Sequence, residues 1–320
     1  MLDRLGEYEQ ARSQFERARE LYVQQLGPEH PETLRSMNNL ANSYANLSRQ
    51  TEVLKLYGAV LESQQRVLPM DHPDTLTSMN HLAITYAEMN RQDEALKLLE
   101  EVLKIRQRVL PKDHLDTLSS MNNLALCYAN LSRLADALKL YEAVLETQQR
   151  ILPKDHPELL LSMVNLALSL CQADRWGEAI GLIDEFLKKA DQPGVDPGLW
   201  PTAIELRWMH FRQAGDAAEC RATAERWEQM HPTDAASLYN AACYRAVVAE
   251  LQTKTPGDES VQLAQADAER AMEWLRQAIE AGWTDAAHLR QDTDLDGLRE
   301  RQDFQELLAE LESAQSKSNP

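Results

Sequence analysis

The chain has 320 residues, 43% apolar and 26% charged, a balance that suits a soluble protein able to bury a sizeable core. Its formal charge of -18 is uneven: residues 1–190 hold 27 acids and 21 bases, residues 191–320 hold 24 acids and 12 bases. Such a surface repels phosphate backbones and anionic lipid, which argues against nucleic-acid and membrane partners and favours a neutral to basic protein or extended peptide.

Few glycines (11) and phenylalanines (4) among abundant Leu, Ala, Glu, Gln and Arg point to an all-α fold. Cys127, Cys171, Cys220 and Cys243 are widely spaced, form no C-x-x-C pair and read as reduced thiols. No secretory leader pattern is visible, and no apolar run approaches the roughly 20 residues of a membrane span, so the expected location is cytoplasmic.

In chain order, residues 2–26 read as one helix. Residues 30–190 are four copies of a 42-residue unit, each opened by a histidine: His30, His72, His114 and His156. "HPETLRSMNNLANSYANLSRQTEVLKLYGAVLESQQRVLPMD" and "HLDTLSSMNNLALCYANLSRLADALKLYEAVLETQQRILPKD" are identical at 29 of 42 positions. Within a unit, Leu34, Met37, Leu40, Ala41 and Tyr44 form one apolar stripe of helical period. Val53, Leu56, Tyr57, Val60, Leu61 and Val67 form a second. "NLSR" between them predicts a polar turn, with Ser48 as the cap of the second helix. Pro69 stops that helix, and Pro73 opens the next at its first turn. Acids behind the opening residue (Glu32, Asp74, Glu158) suit the positive end of the helix dipole. A two-helix unit of this kind buries its faces only by stacking on its neighbours, as in a solenoid.

Residues 2–26 align with second helices alone, Ala11 falling 42 before Val53 and Phe15 42 before Tyr57. Tyr8, Phe15 and Leu21 are then expected to face solvent or a neighbouring molecule, as in a piece of a longer array that self-associates through this helix. After 190 the period breaks at "DQPGVDPGLWP", a Pro/Gly-rich connector. Two divergent hairpins are expected next, 199–213 with 216–230 and 234–251 with 262–281, the second with its turn lengthened by "QTKTPGDES". A segment over 286–312 closes the array, followed by a disordered tail at 313–320. All six tryptophans lie from Trp176 onward, so this part packs on different terms.

The pattern Leu-Ala-x-x-Tyr, then Ala95 or Ala137, then Tyr57 or Tyr141, resembles the tetratricopeptide repeat. The 42-residue length, "NNLA" and "DHPDTL" resemble its kinesin light chain type. The resemblance implies a right-handed α-solenoid of antiparallel helical hairpins. Its domains would be a truncated repeat at 1–29, four hairpins at 30–190, and divergent hairpins with capping helices at 191–312. The stretch "SLYNAACYRAVVAEL", followed by "AMEWLRQAIEAGWTDAAHLRQDTDLDGLRERQDFQELLAEL", resembles the tail of tetratricopeptide arrays in bacterial multidomain serine/threonine protein kinases. That implies a regulatory or substrate-docking region of such a kinase as one reading of the chain.

The family lines its concave groove with first helices. By that resemblance the groove positions are Arg35, Asn38, Asn39, Asn42, Asn46, Asn80, His81, Glu88, Asn122, Asn123, Asn130, Asn165 and Gln172. Paired asparagines dilute helix propensity. A primary amide, however, offers an acceptor and two donors, matching the C=O and N–H of an extended peptide. The same amides could instead join neighbouring helices within the array. Arg35 is the chief cation on this face, with Thr77, Ser119 and Leu161 in the equivalent places, so backbone binding with apolar pockets is expected over recognition of an acidic motif.

The four histidines belong to separate repeats, too far apart to share an ion at roughly 2 Å bond lengths, and are expected to open helices. "DTDLDGLRERQD" (292–303) begins like a calcium loop, but Asp303 stands where a bidentate Glu is needed and Arg299 where an apolar residue is usual, so a capped entry into the last helix is expected. No phosphate loop or catalytic signature is present, and no cofactor or metal is expected. The sequence therefore predicts a non-catalytic scaffold that binds a protein or peptide segment.

Overall fold

The computed structural model describes residues 2–189 and 198–318. It divides into two compact units, Met1–Arg175 and Trp176–Pro320, each treated by itself below. Among the described residues there are fifteen α-helices, one 3-10 helix and no strand.

The first unit holds α1 (Leu2–Leu26), α2 (Pro31–Asn46), α3 (Gln50–Val67), α4 (Pro73–Glu88), α5 (Gln92–Val109), α6 (Leu115–Asn130), α7 (Leu134–Ile151) and α8 (Pro157–Gln172). Consecutive helices pack on each other throughout, α1 on α2, α2 on α3 and so on to α7 on α8. The even-numbered helices are the first helices of the 42-residue units. Their apolar stripes meet in cores that run across unit boundaries. One such core joins Ala41, Tyr57, Leu61, Leu76, Met79, Leu82 and Val102, drawn from four successive helices. Ala41, Ala83, Ala125 and Ala167 are fully buried, because only a methyl group fits where first and second helices approach closely. This mutual burial lets stacked hairpins stand where one alone would leave a face in water.

The four histidines open the first helices. Each sits at the N-cap, its Nδ1 accepting the backbone N–H two residues on: Glu32, Asp74, Asp116 and Glu158, at 3.2–3.3 Å. Within each hairpin the turn differs from the expectation. Ser48 does not cap α3; it takes a left-handed conformation at φ 56°, as do Asn90 (60°), Ser132 (59°) and Asp174 (59°). The first helix ends in a Schellman-type closure, with the Arg49 N–H bonding back to the Tyr44 carbonyl at 2.9 Å. Arg49, Arg91 and Arg133 then lie over Tyr44, Tyr86 and Tyr128 at 4.8, 4.3 and 4.1 Å. Each also pairs with an acid of the following helix, Glu52, Glu94 or Asp136. Tyrosine, arginine and acid thus form a clasp repeated at the first three hairpin turns, while Leu170 stands at the tyrosine position of the fourth.

The second unit holds α9 (Trp176–Lys189), α10 (Leu199–Ala214), α11 (Ala217–Glu228), α12 (Ala235–Thr253), α13 (Asp258–Glu280) and α14 (Ala286–Gln291). The 3-10 helix (Thr293–Leu298) and α15 (Gln302–Ser318) complete it. α10 packs on α11, α11 on α12, and α12 on α13. "QTKTPGDES" does not form a long turn: α12 runs to Thr253 and α13 starts at Asp258, so the added residues mostly lengthen the two helices. Most of the connector "DQPGVDPGLWP" lies outside the described residues. α15 continues to Ser318, past the expected end at 312.

A buried ionic cluster ties this unit together. Arg245 bonds Asp267 at 2.6 Å and Glu228 at 2.8 Å, and Glu228 also accepts from the Trp274 indole at 2.6 Å. Burial pushes the Asp267 carboxyl up, against the pull of Arg245.

Candidate functional site

The residues expected to line a groove do lie along the first helices of the first unit, but they divide by what they touch. Asn80 is buried at 7% exposure, and its Oδ1 accepts from Asn123 Nδ2 at 3.1 Å. Asn122 Nδ2 donates to Ser162 Oγ at 3.0 Å. Both bonds cross from one first helix to the next, and they tie neighbouring hairpins together. Asn42 is exposed, yet its Oδ1 accepts the Tyr57 hydroxyl within the same hairpin. Asn46, Glu88, Asn130 and Gln172 are exposed at the C-terminal ends of their helices. Asn39 and Asn165 are half-buried. Asn123 and Asn130 also line a smaller hollow of about 180 Å³ with Leu126 and Cys127.

A second group holds polar atoms that nothing within the described residues satisfies. Asn38 Oδ1, His81 Nδ1 and Asn122 Oδ1 are buried atoms without a hydrogen-bond partner there. His81 leans on the Tyr57 ring at 5.2 Å, and burial, helped by the Arg106 charge, holds its imidazole below the ordinary histidine range. Burial of this order costs about 1–3 kcal/mol per unpaired atom, so such atoms are unusual in a packed interior.

Asn38 opens onto a cleft of about 410 Å³ where α2 and α4 begin and α3 ends. Leu34, Val67 and Leu68 form its apolar wall. Asn38 and Gln64 supply amides, and Arg35 and His72 stand at its edge. Gln64 is only 3% exposed, and its Oε1 also lacks a partner among the described residues. Arg35 is exposed and pairs loosely with Glu32 at 3.3 Å.

Gln64 was not among the sequence candidates, because second helices were read as apolar packing. A signal was present: Gln64, Arg106 and Gln148 stand 42 apart, one polar residue in an apolar stripe of each of the first three repeats. Arg106 is 5% exposed and satisfies itself on the Asp116 carbonyl and Ser120 Oγ, both at 2.7 Å. Gln148, like Gln64, keeps an unpartnered Oε1.

The calcium-like stretch spends its carboxylates elsewhere. Asp292 caps the 3-10 helix through the Asp294 N–H at 2.9 Å, and Asp294 pairs with Arg212. Asp296 pairs with Arg299, and Asp303 with Arg301. Asp292 Oδ2 also accepts from the Tyr239 hydroxyl at 2.7 Å and the Cys243 thiol at 3.6 Å, with His288 Nε2 at 3.5 Å. These three side chains converge on the Asp292 carboxylate rather than pairing thiol with imidazole. Burial pushes the Cys243 thiol far up, away from a nucleophilic thiolate.

Sequence profiles described as tetratricopeptide repeat match residues 75–116 and residues 1–66 and 114–188, together more than half of the chain. The chain belongs to the tetratricopeptide repeat family. No curated protein sequence matches it. Among solved structures, the kinesin light chain-type repeats of Podosopora anserina are similar at 29% identity and a TM-score of 0.51, over 58% of this chain and 87% of that one. BtubC (BKLC) from P. vanneervenii is similar at 17% identity and 0.52, over 86% and 93%. A Rap protein complexed with Competence and Sporulation Factor is similar at 13% and 0.53, over 86% and 72%. The tetratricopeptide array is thus of kinesin light chain type, and no described helix is long and apolar enough to cross a membrane.

Proposed function

We propose that the chain is a non-catalytic, cytoplasmic scaffold whose first-helix face, over residues 30–175, holds an extended segment of a neutral to basic protein. One observation carries the reading: two buried amide oxygens, Asn38 Oδ1 and Gln64 Oε1, lack donors among the described residues and line one apolar cleft. A backbone or side-chain N–H of a bound segment supplies such donors, and the apolar wall accepts the side chain beside it. His81 and Asn122 continue the row of unpartnered atoms toward the later repeats. Fold relatives support the class of activity, the Rap neighbour having been solved with Competence and Sporulation Factor.

The test is an array of immobilised 12-residue peptides of random sequence, probed with the wild-type chain and with Asn38→Ala and Gln64→Leu. Loss of one neutral hydrogen bond predicts roughly 2- to 10-fold weaker retention for each variant, with unchanged far-UV circular dichroism. Equal retention by folded variants overturns the reading. A second reading, self-association through α1, is favoured by its exposed Leu21 (47%) and Leu26 (43%). Light scattering at rising concentration tests it, a constant monomer mass counting against it.

A further inference from the structure

The second unit contains a hollow of about 440 Å³ that the first-helix reading does not use. One wall comes from α10, where Glu205, Trp208, Met209 and Arg212 recur at helical spacing on one face. The rest comes from α12 and the chain after α13. Its aromatic rings form two groups. Trp208 packs on Tyr244 at 4.3 Å between centroids, with Trp227 edge-on to the same tyrosine at 5.6 Å. Opposite them in sequence order, Tyr239 and Trp283 stack at 4.1 Å with 8° between planes. Trp208, Trp227 and Tyr239 are held rigidly at 3–5% exposure, while Met209 is half exposed.

The charges around these rings are one-sided. Asp294 is taken by Arg212, and Asp292 is shared among Tyr239, Cys243 and His288. Glu205, exposed on the α10 wall, has no ion-pair partner among the described residues. Three carboxylates therefore face one guanidinium, in the part of the chain with 24 acids against 12 bases. An anionic ligand would be repelled here. A neutral apolar ligand would strip water from Glu205 without replacing it. A cation satisfies both features, since the faces of aromatic rings attract positive charge and the carboxylates neutralise it. The Trp283 indole N–H is buried without an acceptor among the described residues, which a hydroxyl or carbonyl on the same ligand would supply.

We propose that this hollow, walled by Trp208, Tyr239, Tyr244 and Trp283 and fronted by Glu205, binds an alkylammonium group on a short apolar stem. The group could belong to a free quaternary amine or to a lysine side chain of a partner protein; the chemistry is the same. The site lies wholly within the second unit, so it stands or falls apart from the reading of residues 30–175.

All six tryptophans lie from Trp176 onward, so intrinsic fluorescence reports this unit of the intact chain. Three probes are titrated: choline, N-acetyl-lysine methylamide, and 3,3-dimethylbutan-1-ol, the uncharged isostere of choline. The two cations are expected to shift the emission and the indole N–H resonances at millimolar concentration, with the isostere at least 10-fold weaker. Glu205→Gln, at an exposed position that leaves the fold intact, should weaken the cations about 3- to 10-fold and leave the isostere unchanged. Tighter binding of choline than of the lysine amide assigns the site to a free amine, and the reverse assigns it to a protein side chain. Equal binding of the isostere, no response to either cation, or an unchanged cation affinity in Glu205→Gln overturns the proposal.

Discussion

Replacing Asn123 by alanine separates the two roles open to the paired asparagines. In the folded chain its Nδ2 donates to Asn80 Oδ1 at 3.1 Å across the α4–α6 boundary, and Asn80 is 7% exposed. Asn123→Ala strands that oxygen, a loss of about 1–3 kcal/mol. Alanine's better helix propensity returns roughly 0.5 kcal/mol. The net loss should be about 1–2 kcal/mol, or roughly 2–8 °C in Tm for a unit of this size. Asn165→Ala changes the same repeat position one unit later, where no hydrogen bond to the preceding asparagine forms, and should be near neutral. Replacing both partners, Asn80→Leu with Asn123→Leu, should recover most of the loss, because no polar atom is then left unpaired. Urea unfolding followed by circular dichroism measures all three. If Asn123→Ala and Asn165→Ala both unfold at the wild-type midpoint, the Asn80–Asn123 bond contributes nothing and the argument from burial fails.

Acid should weaken the first unit through His81. Its folded pKa is lowered by burial and by Arg106, so the unfolded chain binds the proton first. Stability is then complete above the ordinary value of about 6.5 and is lost as pH falls below it. His81→Asn, the residue that Asn123 and Asn165 place at this repeat position, should flatten that loss between roughly pH 7 and pH 5 in urea titrations. An imidazole that titrates by NMR at or above the ordinary value would count against it. In the second unit, Arg245→Met should cost up to about 3–5 kcal/mol by removing the nearest cation from Asp267 and Glu228, their side chains 1% and 14% exposed, and leaving them only the longer pairs with Arg221 at 3.7 Å and Arg270 at 3.5 Å. Asp267 already has a raised pKa in the folded state, so the loss should be smaller at pH 5 than at pH 8, where the carboxylate stays charged. A deficit independent of pH would mean that Asp267 does not carry it.

The 42-residue period, the apolar stripes and the proline stops placed the hairpins of the first unit from the sequence alone. Each of these is a local matter, decided by side-chain spacing along one helix and by backbone groups a few residues apart. The histidine caps were legible for the same reason, since each bonds a backbone N–H two residues away, whereas Asp292 caps the 3-10 helix rather than the last helix, which starts at Gln302. The divergent hairpins after 199 were also placed closely, although "QTKTPGDES" went into longer helices rather than a longer turn.

The division of labour among the asparagines was not legible. Position within the repeat makes Asn80, Asn122 and Asn38 equivalents, yet Asn80 accepts from Asn123, Asn122 donates to Ser162, and Asn38 keeps an unpartnered oxygen. What each amide meets depends on the residue that the next hairpin brings opposite it, about 40 residues away, and on the offset at which hairpins stack. Helical period carries neither. The same holds for Gln64 at the cleft, and for Trp208, Tyr239 and Trp283 around the second hollow. Packing between elements, rather than spacing along one, decided which polar atoms were spent on the fold and which were left open.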